Sequence, residues 1–335
     1  EVESRAVTLL DRILRHQSEE GWFLEYEGAD PGYQSLCTYY LADVNHLRPD
    51  WGLSDPLARS IRFLWFFAHP DGSFGGLYGS RCTRFYFPAG IEALAAELPE
   101  AAALARYMAE SIVASKVVTL SAMDEPNLIP MFNAYCWAAV LWQKGESRLS
   151  APSVPCRSGR SFRQTFPSAG LWLDAGPDYY TVISSHKGGV VAHFCQGQRA
   201  LIDAGVVVQD GRGRVGSSQS FNAANVAIMD DDILRIESII SPMPKRLPSP
   251  FQFIVLRMLS ISLFRLRTFR EWCKRFLVWL LITQRNQWPA RNVREICLGA
   301  DLTIKDQLIA AENYRLVRRP GLFVSVHMAS KGYWQ

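Results

Sequence analysis

The residues best suited to proton chemistry gather in one stretch, Tyr179 to Gly205, YYTVISSHKGGVVAHFCQGQRALIDAG. It holds the closely spaced histidines His186 and His193, with Tyr179, Tyr180 and Lys187 beside them. Histidine and tyrosine can give and take protons when nearby positive charge tunes their acidity, and Lys187 brings such a charge. A second set, Tyr78, Arg81 and Arg84, lies in the glycine-rich stretch HPDGSFGGLYGSRCTR. Guanidinium groups suit carboxylates because they bind them as a two-pronged fork. Together the two sets point to acid and base work on an anionic ligand. Each also has a structural reading: His193 alternates with Val191 on a strand as a satisfied sheet residue would, and Tyr78, Arg81 and Arg84 can brace the helices around them.

The elements that would position these residues follow from local pattern. Tyr179–Ser184 and Val190–Cys195 are rich in β-branched and aromatic residues and are separated by Gly188-Gly189; Arg199–Asp203 returns after Gln196-Gly197-Gln198. That is a β-meander, with the polar residues at its strand ends. Further strands are expected at 171–174, 201–208, 226–229, 233–240, 293–298, 302–305 and 323–327. Upstream, residues 1–148 are helical in pattern, with apolar stripes such as Leu57, Ile61 and Leu64, or Phe132, Cys136, Ala139 and Val140. Two aromatic and glycine turns recur there. Tyr33-x-Ser35-x-Cys37-Thr38 aligns with Tyr78-x-Ser80-x-Cys82-Thr83, preceded by Gly21-Trp22-Phe23 and Gly72-Ser73-Phe74. Such a repeat marks stacked helical hairpins, and turns clustered at one end favour a ring of inner and outer helices.

The expectation is a two-domain α+β protein, since helices followed by strands without alternation argue for separate layers. It comprises an N-terminal, incomplete (α/α) toroid of helical hairpins over 1–148, a linker over 149–164, and a C-terminal antiparallel β-sheet or sandwich domain over 165–335. A basic apolar insertion covers 250–284.

Composition bounds the partners. The 335 residues are 48% hydrophobic and 20% charged, with a net charge of +4, so the overall field favours no partner class. The seven cysteines show no CxxC spacing and fit neither a zinc knuckle nor a disulfide framework. Within 251–283 the arginines interrupt every apolar run before it could span a bilayer. The segment reads as a packed element or as a peripheral membrane contact. No nucleic-acid reading motif accompanies its basic residues. No signal peptide is visible and the chain opens on an acidic amphipathic helix, as a piece of a longer reading frame would; localisation, cytoplasmic or envelope-associated, stays open.

Leu201-Ile202-Asp203-Ala204-Gly205, preceded by the strand Gly189-Val190-Val191-Ala192, resembles the β-domain signature of the heparinase II/III-like polysaccharide lyases. That family joins an α/α toroid to an antiparallel β domain with the active cleft between them. Counting back from Asp203 puts Lys187 near the family's acidic position and Ser185 or His186 near its histidine, so the acid is replaced. The resemblance implies an Asn or His that neutralises the substrate carboxylate, for which Asn45 and His46 are the candidates, and a Tyr acid/base, for which Tyr78 is. The implied chemistry is β-elimination on an acidic, uronic-acid-containing polysaccharide. A base removes the proton α to the carboxylate, an acid assists departure of the β oxygen, and positive charge stabilises the enolate between them. Catalysis would fall to His186, Tyr78 and Tyr180, and substrate binding to Arg81, Arg84, Lys187, His46 and Asn45, with no metal or cofactor.

Replacement of the acid by Lys187 leaves a second expectation: a non-catalytic glycan-binding or assembly protein in exopolysaccharide or cell-envelope biosynthesis. The GWF and GSFGG turns also resemble those of terpenoid-cyclase toroids, but no DxDD or DDxxD cluster is present. Asp230-Asp231-Asp232 reads as a solvated turn, because consecutive residues on a strand point in opposite directions.

Overall fold

The computed structural model describes residues 2–123, 125–143, 152–243, 287–311 and 313–317, with isolated positions between 250 and 272. The segment 251–283 falls almost wholly outside the described residues, and the strand expected at 323–327 lies outside them entirely. The chain is mixed α and β, with helices in its N-terminal part and antiparallel sheets after them.

The helices are α1 (Val2–Leu14), α2 (Pro31–Leu47), α3 (Ser54–Leu64), α4 (Ala89–Ala93), α5 (Pro99–Val113) and α6 (Glu125–Gln143). Local chemistry sets their starts. Asp30 caps α2 by accepting the Tyr33 N–H at 3.1 Å, and Pro31 and Pro99 open α2 and α5, where a missing N–H costs nothing. Along α3, Leu57, Ile61 and Leu64 are fully buried, as their spacing predicts. Along α6 the period is as expected but the phase is not. Phe132, Cys136, Ala139 and Val140 face outward, while Met131, Ala134 and Ala138 are buried against Tyr39, Phe85 and Phe87. Small residues let α6 approach closely, and an apolarity count misses that.

The repeated turns are structural equivalents only in part. The same antiparallel bridge closes both, Gln17 to Phe23 and Ala68 to Phe74, with Gly21 and Gly72 in matching left-handed conformations at φ 94° and 88°. The Tyr-x-Ser-x-Cys alignment does not carry over: Tyr33 and Cys37 ride on α2, whereas Tyr78 and Cys82 sit in an irregular loop before α4.

The β part opens with a five-stranded meander of β1 (Phe162–Phe166), β2 (Leu171–Ala175), β3 (Tyr179–Ser184), β4 (Val190–Cys195) and β5 (Gln198–Asp203), all antiparallel and in that order. Two four-stranded sheets follow. One orders β10 (Ser241–Pro242), β7 (Val215–Ser217), β6 (Val207–Gln209) and β13 (Arg315–Leu316). The other orders β12 (Thr303–Ala310), β11 (Ala290–Cys297), β9 (Ile233–Ile239) and β8 (Val226–Asp230). The single strand expected over 201–208 is two, in different sheets. Gly205 turns at φ 91°, and the Asp203 side chain accepts its N–H at 2.8 Å.

Alternation along the meander makes a three-layer arrangement. Tyr180, Val182, Val190, Ala192 and Phe194 share one core with Phe63, Phe67, Tyr78 and Leu104 of the helical part. On the other face, Ile183 and Val191 pack with Leu234, Ile236 and Ile296 of the β8–β9–β11–β12 sheet. Each fully buried large side chain contributes about 1.5–3 kcal/mol, so helices and meander stabilise each other through a continuous apolar interior.

Candidate functional site

The β3–β4 turn faces the loops of the helical part, as an inter-layer site would require. Lys187 extends from it to the 77–82 loop, donating to the carbonyls of Leu77 at 2.6 Å and Gly79 at 2.9 Å and lying 2.8 Å from Cys82 Sγ. Gly188 and Gly189 make this turn possible: both have positive φ, and a Cβ on Gly188 would stand 2.3 Å from the Ser218 carbonyl. Nearby, the Tyr180 hydroxyl donates to the Phe66 carbonyl at 2.5 Å. Glu20 accepts the N–H groups of Ser168 at 2.7 Å and Ala169 at 3.1 Å.

The same contacts close the seam. Tyr78, Tyr180 and Lys187 are 1%, 1% and 2% exposed, so the expected catalytic tyrosines and the expected cation are interior residues. Burial pushes both phenols well above their ordinary range. His186 is also buried. Its ring meets Phe221 edge-on at 5.3 Å and lies so close to Gly170 that a Cβ there would stand 2.3 Å from it. Burial lowers its pKa, opposed by Glu20.

Tyr78 belongs to a chain of polar groups that sequence reasoning missed. Its hydroxyl is 2.7 Å from His69 Nε2, and His69 Nδ1 is 2.9 Å from Ser73 Oγ. Ser73 Oγ donates to Asp71 at 2.6 Å, so it accepts from the histidine. His69 thus carries its proton on Nδ1, and Nε2 accepts from Tyr78. Arg199 of β5 pairs with Asp71 at 3.1 Å, and Phe194 of β4 stacks on His69 at 4.6 Å. Burial holds His69 well below the ordinary histidine range, with Arg199 and Arg84 adding to the effect and Asp71 opposing it. The available signal was the turn HPDGS, in which an Asp two residues before a Ser bonds back to the chain.

Arg81, an expected binding residue, is half-buried. Its guanidinium lies 4.2 Å from the ring of Tyr26, which is half-exposed at the tip of the tight 25–28 turn with φ 59°. Glu25 and Tyr33 stand beside it and feel its charge. Burial and Asp30 raise the Glu25 carboxyl, with Arg81 opposing. Burial pushes the Tyr33 phenol up to about 12, again opposed by Arg81. A cavity of about 160 Å³ opens next to them, lined by Ile13, His16, Leu24, Glu25, Tyr33 and Cys37 among others. A larger hollow of about 430 Å³, along Trp288, Arg291 and Ile309, holds no histidine, tyrosine or carboxylate among the described residues.

The buried carboxylate of Asp30 assembles this surface. Beyond capping α2 it accepts the backbone N–H of Arg81 at 2.9 Å and of Thr83 at 3.2 Å, tying the start of α2 to the loop that carries Arg81. Ser80 reinforces the tie through its N–H to the Ala29 carbonyl at 2.9 Å.

The remaining expected residues lie elsewhere. Arg84 is half-buried and acts on His69 through its charge. Asn45 and His46 sit at the far end of α2, about 20 Å from Tyr33 at 1.5 Å per residue; the His46 ring is 6.2 Å from Trp137. His193 bonds Thr181 at 2.8 Å on the sheet face turned away from the helices. Asp230 to Asp232 form the β8–β9 turn, where Arg163 binds the Asp231 carbonyl at 3.0 Å and the Asp232 carboxylate. Among the described residues no cluster of His, Cys, Asp and Glu could hold a metal ion, and no helix is long and apolar enough to cross a membrane.

No protein-family model matches the sequence, and a search of curated proteins finds no match.

Proposed function

We propose that the chain is a heparinase II/III-like protein that binds an acidic polysaccharide without cleaving it, at the surface formed by the 25–33 and 78–84 segments. The observation that carries this reading is Arg81 held over Tyr26 beside the Glu25 and Tyr33 cavity. A guanidinium forks onto a sugar carboxylate, an aromatic edge offers apolar contact to the sugar ring, and a carboxyl and a phenol bind hydroxyls. The closed state of Tyr78, Tyr180 and Lys187 favours binding over elimination, as does a lysine where the family keeps an acid. The helices fit an incomplete (α/α) toroid packed against the β part. The outward apolar stripe of α6, with Ile129, Phe132 and Val140 exposed, is the surface that further helices of a ring would cover.

One observation favours the second reading, a polysaccharide lyase. Tyr33 is a partly accessible phenol beside an arginine, an arrangement suited to proton transfer next to a neutralised carboxylate.

Titration of uronic-acid polymers and of a neutral glucan, followed calorimetrically, tests both. Binding of the uronates alone, lost in R81A and accompanied by no ultraviolet absorbance from an unsaturated sugar, is the expected result. Accumulation of that absorbance, abolished in Tyr33→Phe, would establish the lyase. Equal binding of the neutral glucan, or none of either, would remove both.

A further inference from the structure

We propose that Cys82 and Lys187 form a peroxide-sensitive pair that closes into a covalent sulfur–nitrogen link between the helical loop and the β3–β4 turn. It is independent of the glycan-binding reading. Lys187 Nζ stands 2.8 Å from Cys82 Sγ, and its two other donor directions are fixed by the Leu77 and Gly79 carbonyls at 2.6 and 2.9 Å. The amine is therefore held against the sulfur. Both residues are almost completely buried, and no carboxylate among the described residues pairs with Lys187. A buried ammonium without a carboxylate partner is costly, and the sulfur is one of the three contacts that hold it.

The thiolate is the form that attacks a peroxide. Its sulfur bonds one oxygen of hydrogen peroxide, the O–O bond breaks, and Cys82 becomes a sulfenic acid. The departing hydroxide takes a proton from the Lys187 ammonium and leaves as water. The freed amine then attacks the sulfenic sulfur; the S–N bond forms, the S–O bond breaks, and the hydroxyl departs with an amine proton as a second water. One peroxide is reduced to two waters, the sulfur is oxidised by two electrons, and one N–H remains for either carbonyl. Condensation of a sulfenic acid with a nearby nitrogen is established cysteine chemistry, and here the nitrogen is already in contact.

Leu77 and Arg81, on either side of the pair, are half-buried. The other cysteines supply the contrast. Burial pushes Cys37 up to about 12, and Cys156 likewise to about 12, with Arg157 opposing the latter shift. Cys136 and Cys297 are exposed.

Peptide mapping of the folded wild-type protein after hydrogen peroxide treatment tests the pair. The expected product joins the Cys82 and Lys187 peptides at a mass two hydrogens below their sum, with trypsin no longer cutting after Lys187. Dithiothreitol should reverse it, and C82S and K187R should lack it. Recovery of Cys82 as sulfinic acid, or unmodified while Cys136 and Cys297 oxidise, would overturn the proposal. Because the decisive measurement is made on the wild type, it stands whether or not the variants fold.

Discussion

The guanidinium of Arg294 lies 2.6 Å from the carboxylate of Asp203, joining the end of one sheet to a strand of another. The same guanidinium binds Asp306 on two sides at 2.8 Å and the Gly189 carbonyl at 2.8 Å. Asp203 belongs to the Leu-Ile-Asp-Ala-Gly run on which the family resemblance rests, and its role here is to anchor a strand end. Arg294 is fully buried, and removing one partner of such a network leaves uncompensated charge. Arg294→Met should therefore cost about 3 kcal/mol of unfolding free energy. A urea midpoint unchanged from the wild type would show that the network contributes nothing net.

Asp30 is expected to matter more than a helix cap usually does. Its carboxylate serves three backbone N–H groups, those of Tyr33, Arg81 and Thr83. A lost cap costs about 1 kcal/mol, and each buried donor left unpaired about 1–3 kcal/mol. Asp30→Ala should lower stability by about 3 kcal/mol and release the Arg81 loop, which hydrogen exchange of the 78–84 amides would report. Faster exchange confined to α2 would contradict the coupling.

The acid side of the stability profile should carry the signature of His69. Burial holds its folded value below the 6.5 of the free side chain, so as pH falls the unfolded chain takes up a proton that the folded chain refuses. The stabilisation is complete above the unfolded value and is lost as pH drops toward the folded one, at up to about 1.4 kcal/mol per pH unit. His186 and His193, also lowered by burial, add in the same direction. Urea unfolding between about pH 7 and about pH 5 should show this slope, and His69→Gln should make it shallower. An identical slope in the variant would assign the proton elsewhere.

Tyr180 and Tyr26 should separate structure from recognition. Tyr180→Phe removes a hydrogen bond to the Phe66 carbonyl and should cost about 1 kcal/mol of stability without altering uronate binding. Tyr26→Ala removes the ring beneath Arg81 and should weaken that binding by about 1 kcal/mol, while stability moves by less than about 0.5 kcal/mol. The reverse pattern would put recognition in the seam after all.

The strands that carry the sharpest local signal were legible: β3 and β4 run from Tyr179 to Ser184 and from Val190 to Cys195, as their β-branched content and flanking glycines predict. Period-2 reading failed at Ala204-Gly205, where a positive φ breaks an unbroken apolar pattern, and it had no purchase on β7, β10 and β13, which are two or three residues long. The site was harder to read because it depends on distant partners. Tyr78 in a glycine-rich turn looks exposed until Phe67, 5.7 Å away, and His69 enclose it. Tyr26 and Asp30 look like ordinary turn residues until Arg81, some fifty positions later, meets both.

Because Phe166, Tyr180 and Phe194 lie in the same apolar interior as Phe63 and Leu104, the core they form belongs to neither half alone. A polypeptide severed between 143 and 162 would leave a raw hydrophobic wall on each product, inviting clumping, whereas the intact protein should melt in one sharp cooperative step.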